Sequence, residues 1–118
     1  MNDMQDIFAA DGILAERLSH YHPRSQQQSM AVQVESAIRN QQHAVIEAGT
    51  GTGKTFAYLV PALLSGKKVI ISTATKTLQD QIFNKDLPTV TAALGSPLKV
   101  ALLKGRRNYL CKHRLQIQ

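Results

Sequence analysis

The chemistry in this chain concentrates in one run, Val45-Ile46-Glu47-Ala48-Gly49-Thr50-Gly51-Thr52-Gly53-Lys54-Thr55. Glycines at alternate positions let backbone N–H groups converge without interference from Cβ atoms, so the turn can wrap the oxygens of a di- or triphosphate. Lys54 is placed to reach the β- and γ-phosphates, and the Thr55 hydroxyl to ligate Mg²⁺, which makes these two the candidate catalytic residues. Ala48, Gly49, Thr50, Gly51, Thr52, Gly53, Lys54, Thr55 and Phe56 form the candidate nucleotide-binding stretch. The general pattern is G-x-x-x-x-G-K-S/T, and this chain carries Ala48 at the first glycine position, with Gly49 next to it. An ordinary glycine-rich turn is the bland alternative. It explains Lys54 and Thr55 poorly, because a cation at a helix start is disfavoured unless an anion is bound there.

A phosphate loop needs a strand before it and a helix after it. His43 to Ala48 is apolar enough for a buried strand, and the segment that Lys54-Thr55 opens, Phe56 to Leu64, is long enough for the helix. Upstream, residues 1–10 read as a loose terminus or a fraying helix. Asp11 is positioned to cap a short helix carrying Ile13, Leu14 and Leu18. Pro23 opens a second helix to about Asn40, with Met30, Val34 and Ile38, helped by Ala31 and Ala37, as its buried stripe. Downstream, Val69-Ile70-Ile71-Ser72 reads as a central strand and Leu98 to Leu103 as a third. Between them a helix is expected from about Leu78 to Leu87, with Leu78, Ile82 and Phe83 inward and Pro88 as its stop. The order α-α-β-α-β-α-β predicts an α/β fold with parallel strands and crossover helices. No strand ends in the acidic pair that would hold Mg²⁺ and activate water. Asp80 and Asp86 fall on a predicted helix and read as solvated charges. The chain is therefore expected to hold the phosphate cradle without the hydrolytic half.

At 118 residues this is one domain at most. No stretch approaches the roughly 20 apolar residues of a bilayer span, and no secretory signal is visible, so no membrane role and a cytoplasmic location are expected. The net charge of +6 sits late: beyond Leu98 come Lys99, Lys104, Arg106, Arg107, Lys112 and Arg114, with no acid. Such a cluster suits a polyanion backbone, or is simply a solvated tail. One cysteine, Cys111, cannot form an internal disulfide and by composition alone reads as an apolar filler.

Four segments in order are more specific than the loop alone. They are Tyr21-His22-Pro23-Arg24-Ser25-Gln26-Gln27-Gln28-Ser29-Met30, Glu47 to Thr55, Ile71-Ser72-Thr73-Ala74-Thr75-Lys76-Thr77-Leu78-Gln79-Asp80-Gln81, and Leu103-Lys104-Gly105-Arg106-Arg107-Asn108-Tyr109-Leu110-Cys111. Together they resemble the N-terminal part of a bacterial superfamily 2 DNA helicase of the DinG/YoaA group, relatives of the XPD helicases. The resemblance implies that residues 1–118 are part of motor domain 1, a partial RecA-like P-loop NTPase domain ending at the start of an iron–sulfur insertion.

It further implies that Gln27 recognises the adenine edge of ATP, donating and accepting through one amide, with Tyr21 or Arg24 completing the pocket. Thr73, Thr75 and Lys76 would hold the backbone of single-stranded or forked DNA, although capping a helix start is an equal alternative for each. Lys104, Arg106 and Arg107 would lie near the translocating strand. Cys111 matches the first of four cysteines that bind a 4Fe–4S cluster in the full-length enzymes. With the other three absent here, these residues alone should not assemble one. The implied activity is ATP-driven 5′ to 3′ translocation and unwinding in DNA repair or replication, with a replication or repair protein as a possible partner. The isolated 118 residues are expected to bind nucleotide weakly and to unwind nothing. The competing readings are a non-catalytic nucleotide- or nucleic-acid-binding protein and a small P-loop kinase.

Overall fold

The computed structural model describes residues 4–49, 53–95 and 99–103. Within them the chain forms α1 (Met4–Phe8), α2 (Ile13–Arg17), α3 (Ser25–Arg39), α4 (Lys54–Leu64), α5 (Lys76–Gln81) and α6 (Leu87–Leu94), with a π-helical turn, Ile82–Asp86, joining the last two. Helix α4 is the hub. Its Ala57, Leu59, Val60, Pro61 and Ala62 are all buried, and it packs on α3, on the π turn and on α6. Phe8, Leu14, Leu59, Val60 and Val90 are the largest sealed hydrocarbon side chains besides Pro61. Each contributes about 1.5–3 kcal/mol by leaving water.

The N-terminus departs from the expected loose end. Met4, Ile7 and Phe8 recur at the spacing of one helical face, and all three enter the core. Gly12, rather than Asp11, is the N-cap of α2. A Cβ on Gly12 would lie 2.1 Å from the Asp6 carbonyl oxygen, so the tight return from α1 to α2 admits only glycine. Arg17 then reaches across to donate to the Ala93 carbonyl at 2.9 Å, satisfying an orphan acceptor at the end of α6.

On α3 the sealed positions are Gln27 and Ala31, one turn apart, while Met30, Val34 and Ile38 are only half-buried. Ala31 is fully buried, on a helix that packs against both α4 and α1. Lys67 donates to the Ile38 carbonyl at 3.1 Å, a cation at the C-terminal end of α3 where the helix dipole favours it.

Pro88 does not stop the downstream helix. It sits in the first turn of α6, where a missing N–H costs least, and the π turn before it keeps the chain winding. Leu78 is exposed; Ile82 is buried and Phe83 half-buried.

The expected parallel strands are not formed among the described residues. Segments 43–48, 68–73 and 99–103 run extended without a ladder. A strand satisfies its backbone only through a neighbour, and these segments present their side chains to solvent, Val45 at 102% and Ile70 at 96% exposure. Ile71 alone of Val69-Ile70-Ile71 packs against the core. Segment 99–103 is tethered instead to α5, by Gln79 Nε2 donating to the Leu103 carbonyl at 2.9 Å.

Candidate phosphate site

Two helix starts meet at the end of the glycine-rich run. Gln27, in the first turn of α3, donates from Nε2 to the carbonyl oxygen of Gly53, the N-cap of α4, at 3.1 Å. Gly53 adopts φ +77°, a left-handed conformation in which a side chain is strained. A Cβ there would also meet Gln27 Nε2 at 2.2 Å and come within 3.7 Å of the Arg24 guanidinium. Arg24, Gln27, Gly53 and Lys54 are thus brought to one place. Neither helix has an acidic residue in its first turn or a side-chain cap on its N-terminal amides. Arg24 and Lys54 are both exposed. Two helix starts without a side-chain cap and two exposed cations make a local excess of positive potential that an anion would neutralise.

Gln27 is 3% exposed, and its Oε1 is buried without a hydrogen-bond partner. One amide proton is already committed to Gly53, so the side chain clamps the loop first, and Oε1 is its remaining acceptor. Tyr21 points its hydroxyl elsewhere, donating to the Phe8 carbonyl at the end of α1. Burial pushes its pKa up to about 12, against the opposing charge of Arg24. Phe56 turns toward the core and packs there. Of the residues expected around the nucleotide, Tyr21 turns its hydroxyl to α1 and Phe56 packs on the core, while Arg24 and Gln27 lie beside Gly53.

Thr55 is half-buried, one turn before Tyr58 on α4. Burial raises the Tyr58 pKa, and the nearby charge of Asp86 adds to the rise. Asp86 is the other departure from expectation: it is 7% exposed rather than solvated, with Oδ2 unpartnered. Desolvation raises its pKa, partly offset by Lys85 and by a hydrogen bond with Gln81. Neither Tyr58 nor Asp86 stood out in the sequence. Only the i, i+3 spacing of Tyr58 from Thr55 could have flagged the first.

Ala48 and exposed Gly49 line a separate open cavity of about 410 Å³ against the outer face of α3, with Ser25, Ser29 and Glu47 among its walls. At the start of α5, Thr75 acts as N-cap, accepting from the Leu78 amide at 3.1 Å, and Thr73 donates to the Thr75 carbonyl at 3.3 Å. Capping thus occupies the Thr75 acceptor, while Lys76 is exposed. Thr50, Gly51, Thr52, Lys104, Arg106, Arg107 and Cys111 lie outside the described residues. Among the described residues no group of three or more His, Cys, Asp or Glu could hold a metal, and no helix is long and apolar enough to cross a membrane.

Residues 24–112 match the family model described as DEAD/DEAH box helicase. The chain is 56% identical over 114 residues to the ATP-dependent DNA helicase YoaA of Haemophilus influenzae, covering 97% of this chain and 18% of that protein. It is 58% identical over 115 residues to the ATP-dependent DNA helicase YoaA of Escherichia coli, covering 98% of this chain and 18% of that protein. The 3'-5' exonuclease DinG of Bacillus subtilis is 44% identical over 107 residues, covering 87% of this chain and 12% of that protein. The chain therefore spans less than a fifth of the length of these curated relatives. No solved structure matches.

Proposed function

Because this chain belongs to the DEAD/DEAH box helicase family, whose fold is that of a P-loop NTPase, we propose that it supplies the nucleotide-binding part of an ATP-dependent DNA helicase. The observation that carries this reading is the meeting of the α3 and α4 starts through the Gln27–Gly53 hydrogen bond, with Arg24 and Lys54 beside it. Lys54 balances the β- and γ-phosphate charge, and the amides of residues 49–55 wrap the phosphate oxygens. Gln27 offers Oε1 to the amino group of adenine, and Arg24 flanks it. Thr55 would hold Mg²⁺, a hard cation that takes oxygen ligands and would neutralise phosphate charge there. Its half-buried hydroxyl is such an oxygen donor, and the helix-start amides beside it suit the phosphate.

Thr73, Thr75 and Lys76, with Lys104, Arg106 and Arg107, are the proposed contacts to the backbone of single-stranded or forked DNA. Hydrolysis would drive 5′ to 3′ movement in replication or repair, with a protein partner from one of those processes. Cys111 is the proposed first ligand of a 4Fe–4S cluster, which takes four such ligands and so needs more than the one cysteine here.

The test is ATP turnover by the complete gene product with and without single-stranded DNA. Turnover that rises with DNA, and a rise that shrinks as salt increases, is the expected result. Turnover indifferent to DNA would favour a small P-loop kinase or a nucleotide-binding protein of another kind.

A further inference from the structure

Helix α3 must hold Gln27 steady in its first turn, yet nothing in the helix itself secures that end. Its N-cap, Arg24, is extended (φ −135°, ψ 129°) and makes no side-chain cap to the first amides. An end of this kind frays unless it is held from outside. Gln27 is nevertheless 3% exposed and donates to the Gly53 carbonyl at 3.1 Å. The start of α3 is therefore held by something else.

Tyr21 supplies the hold, because it is fixed at both of its ends. Its amide donates to the carbonyl of Leu18, the C-cap of α2, at 3.4 Å. Its hydroxyl donates to the Phe8 carbonyl on the last residue of α1, one of the acceptors that a helix end leaves over. Phe8 is sealed in the core with Met4 and Ile7, and α1 packs on α3. Only His22 and Pro23 separate Tyr21 from Arg24. The proline ring fixes its own φ and narrows the backbone choices of His22, so little freedom is left between the clasp and the helix start.

We propose that Tyr21 is a positioning residue: by clasping the end of α1 it holds the strap 21–24 in place, and so keeps Arg24 and Gln27 where they meet a purine base. Helix α1 then serves base recognition through Tyr21, without reaching the nucleotide itself. The inference rests on the reading of Gln27 given above. In that reading the adenine amino group donates to Gln27 Oε1, whereas guanine presents an acceptor oxygen at the same place. Loosening the strap therefore lowers the preference for ATP over GTP, more than it lowers nucleotide binding in general.

The experiment measures kcat/KM for ATP and for GTP with the complete gene product and saturating single-stranded DNA. Tyr21→Phe keeps the ring and removes only the donated hydrogen bond, and its thermal unfolding is followed in parallel. The expected result is a fall of roughly 5-fold in the ATP-to-GTP ratio, carried mainly by a higher KM for ATP. Exchange of the Gln28 amide, which donates to the Arg24 carbonyl at 3.1 Å, should speed up without nucleotide. An unchanged ratio overturns the proposal, as does an equal loss with both nucleotides, the outcome of a clasp that serves stability alone. Unchanged exchange at Gln28 overturns it too. Gln27→Ala separates the two levels. If it leaves the ratio unchanged, the assignment of Gln27 to the base fails; if it lowers the ratio while Tyr21→Phe does not, only the clasp fails.

Discussion

The helical part of this molecule and its extended segments respond differently to the same stretch of sequence. Helices α1 to α4 and α6 close their own backbone hydrogen bonds and bury Phe8, Leu14, Leu59 and Val60 completely. Segments 43–48 and 68–73 are just as apolar, yet Val45 and Ile70 stand almost wholly in solvent. A helix is self-sufficient in hydrogen bonds, whereas a parallel strand depends on neighbours distant in sequence. The contrast teaches that apolar composition alone does not bury a residue. The partner must be present, and this chain spans 18% of the YoaA relatives' length.

The sharpest way to break that comparison is mutation on both sides of it. Leu59→Ala should lower unfolding stability by about 2–5 kcal/mol, measured by urea titration, because Leu59 is completely buried. Val45→Ser in the same 118-residue chain should change it by no more than about 0.5 kcal/mol. A large loss at Val45 would mean that the extended segment is packed after all. Gly53→Ala comes next. Its left-handed backbone and the clash with Gln27 should cost about 1 kcal/mol or more and weaken nucleotide binding with it, which calorimetry would read.

Tyr21→Phe tests the clasp between α1 and the start of α3, and should cost about 1 kcal/mol at neutral pH. The same residue gives a pH dependence of defined sign. Its folded pKa is raised from 10.0 to about 12, so the unfolded chain releases the phenolic proton first and stability falls as pH climbs through that window. The phenylalanine variant should lack that part of the decline. The smallest signal is in amide exchange: residues 43–48 and 69–72 should exchange freely in the 118-residue chain and slow down in the complete gene product. Fast exchange in both would remove these segments from any sheet.

How much of this was legible depends on where the information lies. The extent of α4 and the crowding of glycines before it could be read directly, because the spacing of Gly53, Lys54 and Thr55 encodes a backbone path. Helix α3 was legible to within two residues at its start, and so was buried Ala31, but the polar member of its buried face was not. Gln27 is a polar residue that no periodicity rule places inside, and it is sealed by a bond to a carbonyl 26 positions away. The integration of Met4, Ile7 and Phe8 was hidden for a similar reason. A five-residue helix is too short to declare itself, and what stabilises it is contact with α3 and the Tyr21 hydroxyl. Asp86 could be assigned to a helix but not to an interior, since its burial follows from a π turn set just ahead of Pro88.

The phosphate site is the claim on which the functional reading stands, and Lys54 is one of its two exposed cations. Lys54→Ala in the complete gene product, assayed for ATP turnover with saturating single-stranded DNA, should reduce turnover by roughly 100-fold or more while the fold stays intact by circular dichroism. Turnover equal to that of the parent protein would contradict it, and would mean that the meeting of the two helix starts serves structure alone.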